Sequence, residues 1–554
     1  MNNNQQTVKF VPIGGLGDVT RNMYLYETES EILIVDCGFG FADETMLGVD
    51  LMLPDVSYLL QTQKKIVGMV LSHGHEDHIG ALPFVIPQLP SFPIFGSPLT
   101  AAFANEKFQE FKLPNRVKTV AFDGGDIALG SFKISFIRVT HSIPDASNLF
   151  IRTPVGNFLH ASDFKFDLTP FDKKPTDIAK IVRCASEGVM CLMSDSLGSE
   201  RAGFTPSEQA LEENIELEMR RCEGKFILTT YSSNISRLNQ AVIAAKRLGR
   251  KICFVGRSLL NAKDIAEKLG YMNFSKGFVV TVDQIRNYKD RDLCLIVAGS
   301  QGQENSSLSR VAHDEYREIK LNSKDVVVFS ADPIPGNEIS INSMIDAISR
   351  TGAKVVYSEI SDRFHVSGHG ASRELLLMMA LTNPKNVLPI GGTYRQMVAY
   401  KNLAKQHGLQ DQNIILSDDG LETIFSKDRW AFGKKIQLKN VYVDEISGNE
   451  VEQFVLRDRQ KIAEQGVVIV MVEIDAQTGQ IVDQPNIIAR GFPTDEAKLL
   501  NKNLVAELRK NFQTKQGQVK DWLRFRKIVG DISERFIAKS FRKNPLILPI
   551  VVEV

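Results

Sequence analysis

A chain of 554 residues is too long for one hydrophobic core and is expected to divide into several domains. Its 43% hydrophobic and 24% charged residues are those of an ordinary globular protein, and Lys plus Arg equals Asp plus Glu at 66 each, so global charge points to no polyanionic partner. No apolar run reaches the ~20 residues that cross a bilayer, which excludes a helical membrane protein from the expected classes.

The opening "MNNNQQTVKF" has neither a basic nor an apolar stretch of the kind a secretory signal needs. Cys37, Cys184, Cys191, Cys222, Cys253 and Cys294 stand singly in apolar stretches without CxxC spacing, as expected of buried thiols in a reducing cytoplasm. Further along, "EILIVDCG" (31–38), "KIVGMVLSHG" (65–74), "FKISFIRVTH" (132–141) and "NFLHASDF" (157–164) read as strands, each ending in a polar residue. That carboxyl edge is where α/β sheets place their chemistry.

A second block of strands, "KFILTTYSSN" (225–234), "KICFVGRS" (251–258), "LCLIVAGSQG" (293–302) and "DVVVFSADPIPGNE" (325–338), is spaced by helical segments at 205–222 and 236–248 and predicts a mainly parallel sheet. "KVVYSEISDRFHVSGHG" and "NVLPIGGTYR" then return to the pattern of a strand with a polar tip. Beyond about 450, "GVVIVMVEIDAQTGQIV" reads as a hairpin, followed by a helix around 495–513 and a closing strand "LILPIVVEV". Residues 515–543 carry nine Lys or Arg against three acids, a solvated helix face that is also able to meet phosphates.

Chemistry concentrates in "LSHGHEDHIGAL" (71–82), where three histidines, a glutamate and an aspartate fall within six positions of a chain with nine histidines in all. His73, His75, Asp77 and His78 follow an expected strand 66–72, and Gly74 lets the loop turn closely around an ion. Imidazole and carboxylate donors suit zinc or another first-row metal, and His141 and Asp163 add two more donors at strand ends. "HVSGH" separately offers His365, Ser367 and His369 at alternate positions with Gly368 between, a set able to present imidazoles, a hydroxyl and backbone N–H groups to a phosphate.

The HxHxDH pattern resembles the metallo-β-lactamase superfamily. "GGLGDVTRNMY", "ETMLGVDLMLPDVSYL", "VTHSIPDA", "DFKFDLTP", "SDSLGSER", "AGSQGQ", "PIPGNE" and "HVSGHG" resemble the ribonuclease J family of β-CASP nucleases over nearly the whole length. The resemblance implies an α/β chain: a metallo-β-lactamase αββα sandwich, an inserted α/β β-CASP domain and a small α+β C-terminal domain. The expected divisions are 1–205 and 356–445 for the lactamase domain, 206–355 for the insert, 446–460 for a linker and 461–554 for the C-terminal domain. It further implies two zinc ions, with manganese or magnesium as alternatives, one held by His73, His75 and His141, the other by Asp77 and His78, with Asp163 shared. Asp36, bracing the histidine loop, would serve catalysis together with Asp77, Asp195 and His369, and His365, Ser367, Gly368 and His369 would clamp a nucleotide phosphate. Ser233, Asn234 and Ser300, in "SSNISR" and "AGSQGQ", would contact the nucleic-acid backbone.

The implied activity is metal-dependent hydrolysis of single-stranded RNA, 5′→3′ from 5′-monophosphate ends, with endonuclease action besides. One departure stands out: where the family carries histidine, glycine and glutamate before Tyr394, this chain has Gly391, Gly392 and Thr393, so the second ion lacks an imidazole. Ser162 and Gln303 are milder departures. An attenuated or inactive paralogue, binding RNA as the partner subunit of an active nuclease, is therefore the alternative. Self-association as a homodimer or homotetramer is expected through the C-terminal domain, whose edge strands invite pairing.

Overall fold

The computed structural model describes residues 6–42, 46–334, 336–357, 364–444, 450–475, 481–513 and 522–554. Lys515 and Lys520 of the basic run, the expected hairpin turn at 476–480, residues 446–449 of the linker, and Glu44, Thr45, Pro335 and 358–363 of the quoted phrases lie outside these. The chain forms two compact units, one of residues 1–41 with 52–441 and one of residues 42–51 with 442–554.

In the larger unit two sheets face each other. One has eight strands, in which Glu31–Val35 and Lys65–Leu71 lie side by side and parallel, with Val35 opposite Val70. The other has six: Phe132–Arg138, Ser147–Thr153 and Gly156–Ala161 pair antiparallel, and Cys191–Asp195 and Asn386–Ile390 continue it in parallel. Their inner faces share one core, in which Val35 and Val70 of the first sheet join Phe158, Met193 and Leu388 of the second. Alternate residues of the second sheet, Phe150, Leu159 and Leu192, point the other way and pack under the helices Ile178–Ala185, Ser372–Thr382 and Tyr394–His407. Both sheets therefore bring their carboxyl ends to one edge. Asp36 and Ser72 end two strands of the first sheet, and Asp163, Asp195 and Gly391 follow three strands of the second.

The second block forms a sheet of its own. It is five-stranded and wholly parallel, in the order Lys251–Val255, Leu293–Val297, Phe226–Thr229, Val326–Phe329, Lys354–Val356. Its strands are apolar on both faces because helices cover both: Phe226, Leu228, Phe254 and Ile296 pack beneath Ala210–Arg221, Ile235–Arg247 and Arg257–Lys268. Ile227, Val255, Leu295 and Val327 turn to the other side, toward Ser307–Ala312 and Glu338–Arg350.

The smaller unit holds a three-stranded sheet of Asn486–Arg490, Val467–Ile474 and Leu546–Glu553. Val468, Val470 and Val472 pack against Leu500, Leu504 and Leu508 of the helix Thr494–Gln513 and against Phe525 and Val529 of Trp522–Phe541. The antiparallel partner of Val467–Ile474 starts later than the hairpin expected from the sequence, at Asn486. Near the expected position the strand makes, among the described residues, the single bridge Ile474 to Ile481, and Pro485, which has no N–H to give a ladder, directly precedes the strand Asn486–Arg490. Among the described residues no helix is long and apolar enough to cross a membrane.

A buried ionic chain joins the five-stranded sheet to the carboxyl edge of the six-stranded one. Glu208 accepts from Arg237 at 2.9 Å and lies 3.5 Å from the Lys165 ammonium, and all three side chains are buried. Arg237 also donates to the Phe364 carbonyl at 2.9 Å and Lys165 to the Ser367 carbonyl at 3.1 Å, so both ends of the loop 364–367 hang on one carboxylate. Glu208→Ala would leave the buried Arg237 guanidinium without its carboxylate and Lys165 with Asp167 alone, 4.0 Å away. Breaking such a network typically costs about 3–5 kcal/mol, so the variant should unfold at clearly lower denaturant concentration than the wild type when fluorescence or circular dichroism is followed.

Candidate metal centre

His73, His75, His141 and Asp163 form one group of potential metal donors, Asp77, His78 and Asp163 a second, and Asp163, Asp195 and His369 a third. In the first, His73 Nε2 and His141 Nε2 each lie 3.0 Å from His75 Nδ1, and each lies 3.6 Å from Asp163 Oδ2. In the second, His78 Nε2 is 3.3 Å from Asp77 Oδ2 and 3.5 Å from Asp163 Oδ2. Nitrogen and oxygen donors about 2.0–2.2 Å from a common ion stand roughly 3.0–3.5 Å apart, so both groups have the spacing of a coordination shell for zinc or a similar ion. Asp163 Oδ2 belongs to both.

The imidazoles are prepared as ligands. Burial, the largest cause, lowers the His75 pKa to about 4 and takes His73 and His141 well below the ordinary value, so all three are neutral with lone pairs available. The other nitrogen of each ring is held: His73 Nδ1 at 3.0 Å from Ser72 Oγ, His75 Nε2 at 3.2 Å from Ser142 Oγ, His78 Nδ1 at 2.8 Å from Asp36 Oδ2 and His141 Nδ1 at 2.8 Å from the Gly368 carbonyl. Such partners fix ring orientation and tautomer. His78 differs in charge. Burial opposes its protonation, but Asp77, Asp163 and Asp36 outweigh it and raise its pKa well above the usual value, an excess of negative charge that suits a bound cation.

Asp36 sits behind the loop and does not face the open side. It is fully buried and accepts from the Ser72 N–H and hydroxyl, each at 2.7 Å, as well as facing His78. Its place in this geometry is that of a brace for the histidine loop. Gly38 passes so near Asp77 that an added Cβ would collide with the Asp77 carbonyl, which is why the turn after Asp36 is glycine.

His369 approaches from the loop. Its Nδ1 pairs with Asp195 Oδ2 at 2.8 Å and its Nε2 lies 3.9 Å from Asp163 Oδ2. Burial opposes its charge, but Asp195 and Asp163 prevail and hold its pKa above the ordinary histidine value. Asp195 also accepts from the Leu197 N–H at 2.8 Å, so it caps the turn that follows while pairing with His369. Ser367 Oγ accepts from the His369 N–H at 3.2 Å, and His365 Nε2 lies 3.2 Å from Asp332 with its Nδ1 unpartnered. Gly368 does more than open the backbone: a Cβ there would meet the His141 ring, so only glycine lets its carbonyl reach that ligand.

Three expected substrate contacts fare differently. Asn234 is buried and its side-chain oxygen caps the helix Ile235–Arg247 by accepting from the Arg237 N–H at 3.0 Å, while its Nδ2 has no hydrogen-bond partner. Ser300 is buried as well, and Ser233 is half-buried on the turn before that helix. Sequence reasoning missed Ser142, Asn22 and the trio Lys165, Glu208 and Arg237. Only Ser142, directly after His141, carried a local signal.

Residues 16–183 match the family described as "Metallo-beta-lactamase superfamily", residues 223–348 "Ribonuclease J, beta-CASP domain", residues 355–416 "Zn-dependent metallo-hydrolase RNA specificity domain" and residues 454–554 "Ribonuclease J C-terminal domain". The chain is 32% identical to "Ribonuclease J2" of Bacillus subtilis (strain 168) over 560 residues, covering 100% of this chain and 99% of that protein. The chain belongs to the ribonuclease J family. "Ribonuclease J" of Helicobacter pylori (strain ATCC 700392 / 26695) is 34% identical over 557 residues, 99% of this chain and 80% of its own, and "Ribonuclease J" of Thermus thermophilus is 34% identical over 99% of this chain and 96% of its own. A crystal structure of a protein of unknown function from Enterococcus faecalis V583 shares the fold, with a TM-score of 0.56 at 14% identity over 76% of this chain and 100% of its own.

For this ribonuclease J family member, the shared carboxylate makes a sharp expectation. Asp163→Ala should deplete ions from both groups, whereas His75→Ala should deplete only the first. Elemental analysis after dialysis against dilute zinc or manganese reads the difference, and equal metal content in Asp163→Ala and the wild type would contradict the sharing.

Proposed function

We propose that this chain holds two zinc ions on His73, His75, His141, Asp77, His78 and Asp163 and degrades single-stranded RNA 5′→3′ from 5′-monophosphate ends, with endonuclease action besides. Its family makes it a metal-dependent ribonuclease of RNA processing. The observation that carries the reading is Asp163 Oδ2, which faces both donor groups and, on a third side, the His369–Asp195 pair. When bound, the ions supply Lewis-acid activation of water and offset charge developing on the scissile phosphate.

The remaining roles fall to the protein. Asp36, Ser72, Ser142 and the Gly368 carbonyl hold the imidazoles in place. His369, kept protonated beside Asp195, is the proton donor to the leaving oxygen, and Asp195 fixes which nitrogen carries that proton. His365, Ser367 and Gly368 meet the nucleotide phosphate on the same loop as His369, so the grip on a 5′ end and the proton donor move together. Phosphate contacts carry no sequence, so cleavage is sequence-tolerant.

The divisions expected from the sequence follow the same reading: the insert 206–355 and the returning segment 356–445 bring this loop to the metal edge. In the C-terminal domain, Leu548, Ile550 and Val552 are exposed along the strand Leu546–Glu553, which supports a homodimer or homotetramer formed there. Six buried free cysteines support a reducing cytoplasmic setting.

A second reading has its own observation. A Cβ at Gly391 would have only Asp163 Oδ1, at 3.8 Å, within contact range, so the position faces the metal edge with open space and no donor. The second ion is then held weakly, and the chain acts as an attenuated partner of an active nuclease. Gly391→His tests this: the backbone there has φ +65, a conformation histidine tolerates better than most residues, and metal bound per chain after dialysis should rise. Unchanged occupancy would mean that another group already does the work.

Two assays test the main reading. Metal-loaded protein should degrade 5′-monophosphorylated RNA faster than 5′-triphosphorylated RNA, and turnover of neither would favour the attenuated partner. His369→Ala should lower kcat by about 10²–10⁴-fold with metal content unchanged, and full activity in that variant would remove His369 from the chemistry.

A further inference from the structure

The second donor group has three protein ligands and an empty place at Gly391, yet a fourth polar side chain stands against it. Asn22 is buried at the turn before the strand Met23–Glu27. Its carboxamide Nδ2 lies 3.2 Å from His78 Nε2 and 3.4 Å from Asp77 Oδ2. These separations match the 3.3 Å between His78 Nε2 and Asp77 Oδ2 and the 3.5 Å between His78 Nε2 and Asp163 Oδ2. Atoms so spaced surround a single point at ligand distance, since arms of about 2.1 Å put neighbouring donors roughly 3.0–3.4 Å apart. His78 Nδ1 is taken by Asp36, so Nε2 is the atom left for an ion, and the carboxamide sits beside it.

The side chain has no room to leave. Its backbone N–H donates to the Asp77 carbonyl at 3.0 Å and its carbonyl accepts from the Gly38 N–H at 3.0 Å, so Asn22 is pinned to the histidine loop on both sides of its Cα. Only rotation of the terminal amide is open to it, and at ordinary precision the two amide atoms are told apart by their partners alone. With Nδ2 inward, the amide donates to the Asp77 carbonyl at 3.2 Å and its Oδ1 accepts from the Tyr24 hydroxyl at 2.7 Å. In that arrangement both amide atoms have partners within the protein.

We infer that Asn22 is the fourth protein ligand of the second ion, its carboxamide turning over when the ion binds so that Oδ1 faces the ion beside Asp77, His78 and Asp163. The turned amide keeps its outer partner: Nδ2 donates to the Tyr24 oxygen, and the Tyr24 hydroxyl donates to the Gly15 carbonyl, 3.3 Å away. Turning also brings Oδ1 against the Asp77 carbonyl oxygen, which is unfavourable unless a cation lies beside the two oxygens. An amide oxygen is a neutral donor and suits zinc, manganese or magnesium. The inference rests on the two-ion reading above, and it gives the second site a ligand set that needs no imidazole at position 391.

Titration of the full-length apoprotein with Co²⁺, followed by its visible d–d absorption and by calorimetry, tests this without reference to activity. Asn22→Leu removes both amide atoms and should weaken the second Co²⁺ at least tenfold while leaving the first unchanged. Asn22→Asp puts an oxygen at both positions and should bind the second Co²⁺ at least tenfold more tightly, with a shifted absorption band that a group outside the coordination shell would not produce. If Asn22 serves only as an N–H donor to Asp77 and His78, Asn22→Asp should weaken the second ion as Asn22→Leu does, and that result overturns the inference, as does tighter binding with an unchanged band. A wild-type protein that takes up one Co²⁺ or none overturns the two-ion reading itself, and the inference with it. Because Asn22→Asp preserves size, it decides the matter even if Asn22→Leu does not fold.

Discussion

Asp163 is a buried carboxylate on which imidazole nitrogens of His73, His78, His141 and His369 converge at 3.5–3.9 Å. Burial raises the energy of its charged form, and the neighbouring charge of His78 and His369 outweighs that cost and keeps it ionised. Such a carboxylate is stable only amid positive charge. The rest of the site serves that demand, with neutral rings on one side, the carboxylate-rich second group on the other and, on the third, His369, whose pKa Asp195 and Asp163 hold above the ordinary value.

Delivering these groups to one point is a property of the two sheets. Their parallel strands end along the same edge, so residues far apart in sequence arrive together: Asp36 with Ser72, and Asp163 with Asp195. The antiparallel strands of the same sandwich supply the turn carrying His141 and, before Met23–Glu27, Asn22. The inserted parallel sheet reaches the edge through Arg237 and Glu208, and Lys165 completes the connection from the sandwich itself. Phe364 and Ser367 are thus held by two buried cations that share Glu208, on the loop that bears His369.

Much of this was legible because it is local. His73, His75, Asp77 and His78 announce themselves within six positions, and strand-end His141 and Asp163 follow from apolar runs that stop at a polar residue. The parallel sheet could be read from strands that alternate with helical segments. His369 and Asp195 are different: 174 positions separate them, and only family resemblance brought them into one site. The buried trio Lys165, Glu208 and Arg237 left no trace, because a charged residue in a sequence looks the same whether solvated or enclosed. Asn234 is ambiguous for a related reason, since an asparagine before a helix serves as a cap or as a ligand with identical spelling. Gly368 was noticed for backbone freedom, whereas its contact with His141 depends on a partner 227 positions away.

The claim on which the account stands is that one carboxylate serves two ions. Anomalous diffraction from crystals of the zinc-loaded protein, recorded at the zinc edge, locates the ions directly. The account predicts two peaks about 3.5–4 Å apart, one among His73, His75 and His141 and the other beside Asp77 and His78, with Asp163 between them. A single peak, or a pair that does not share Asp163, would contradict it.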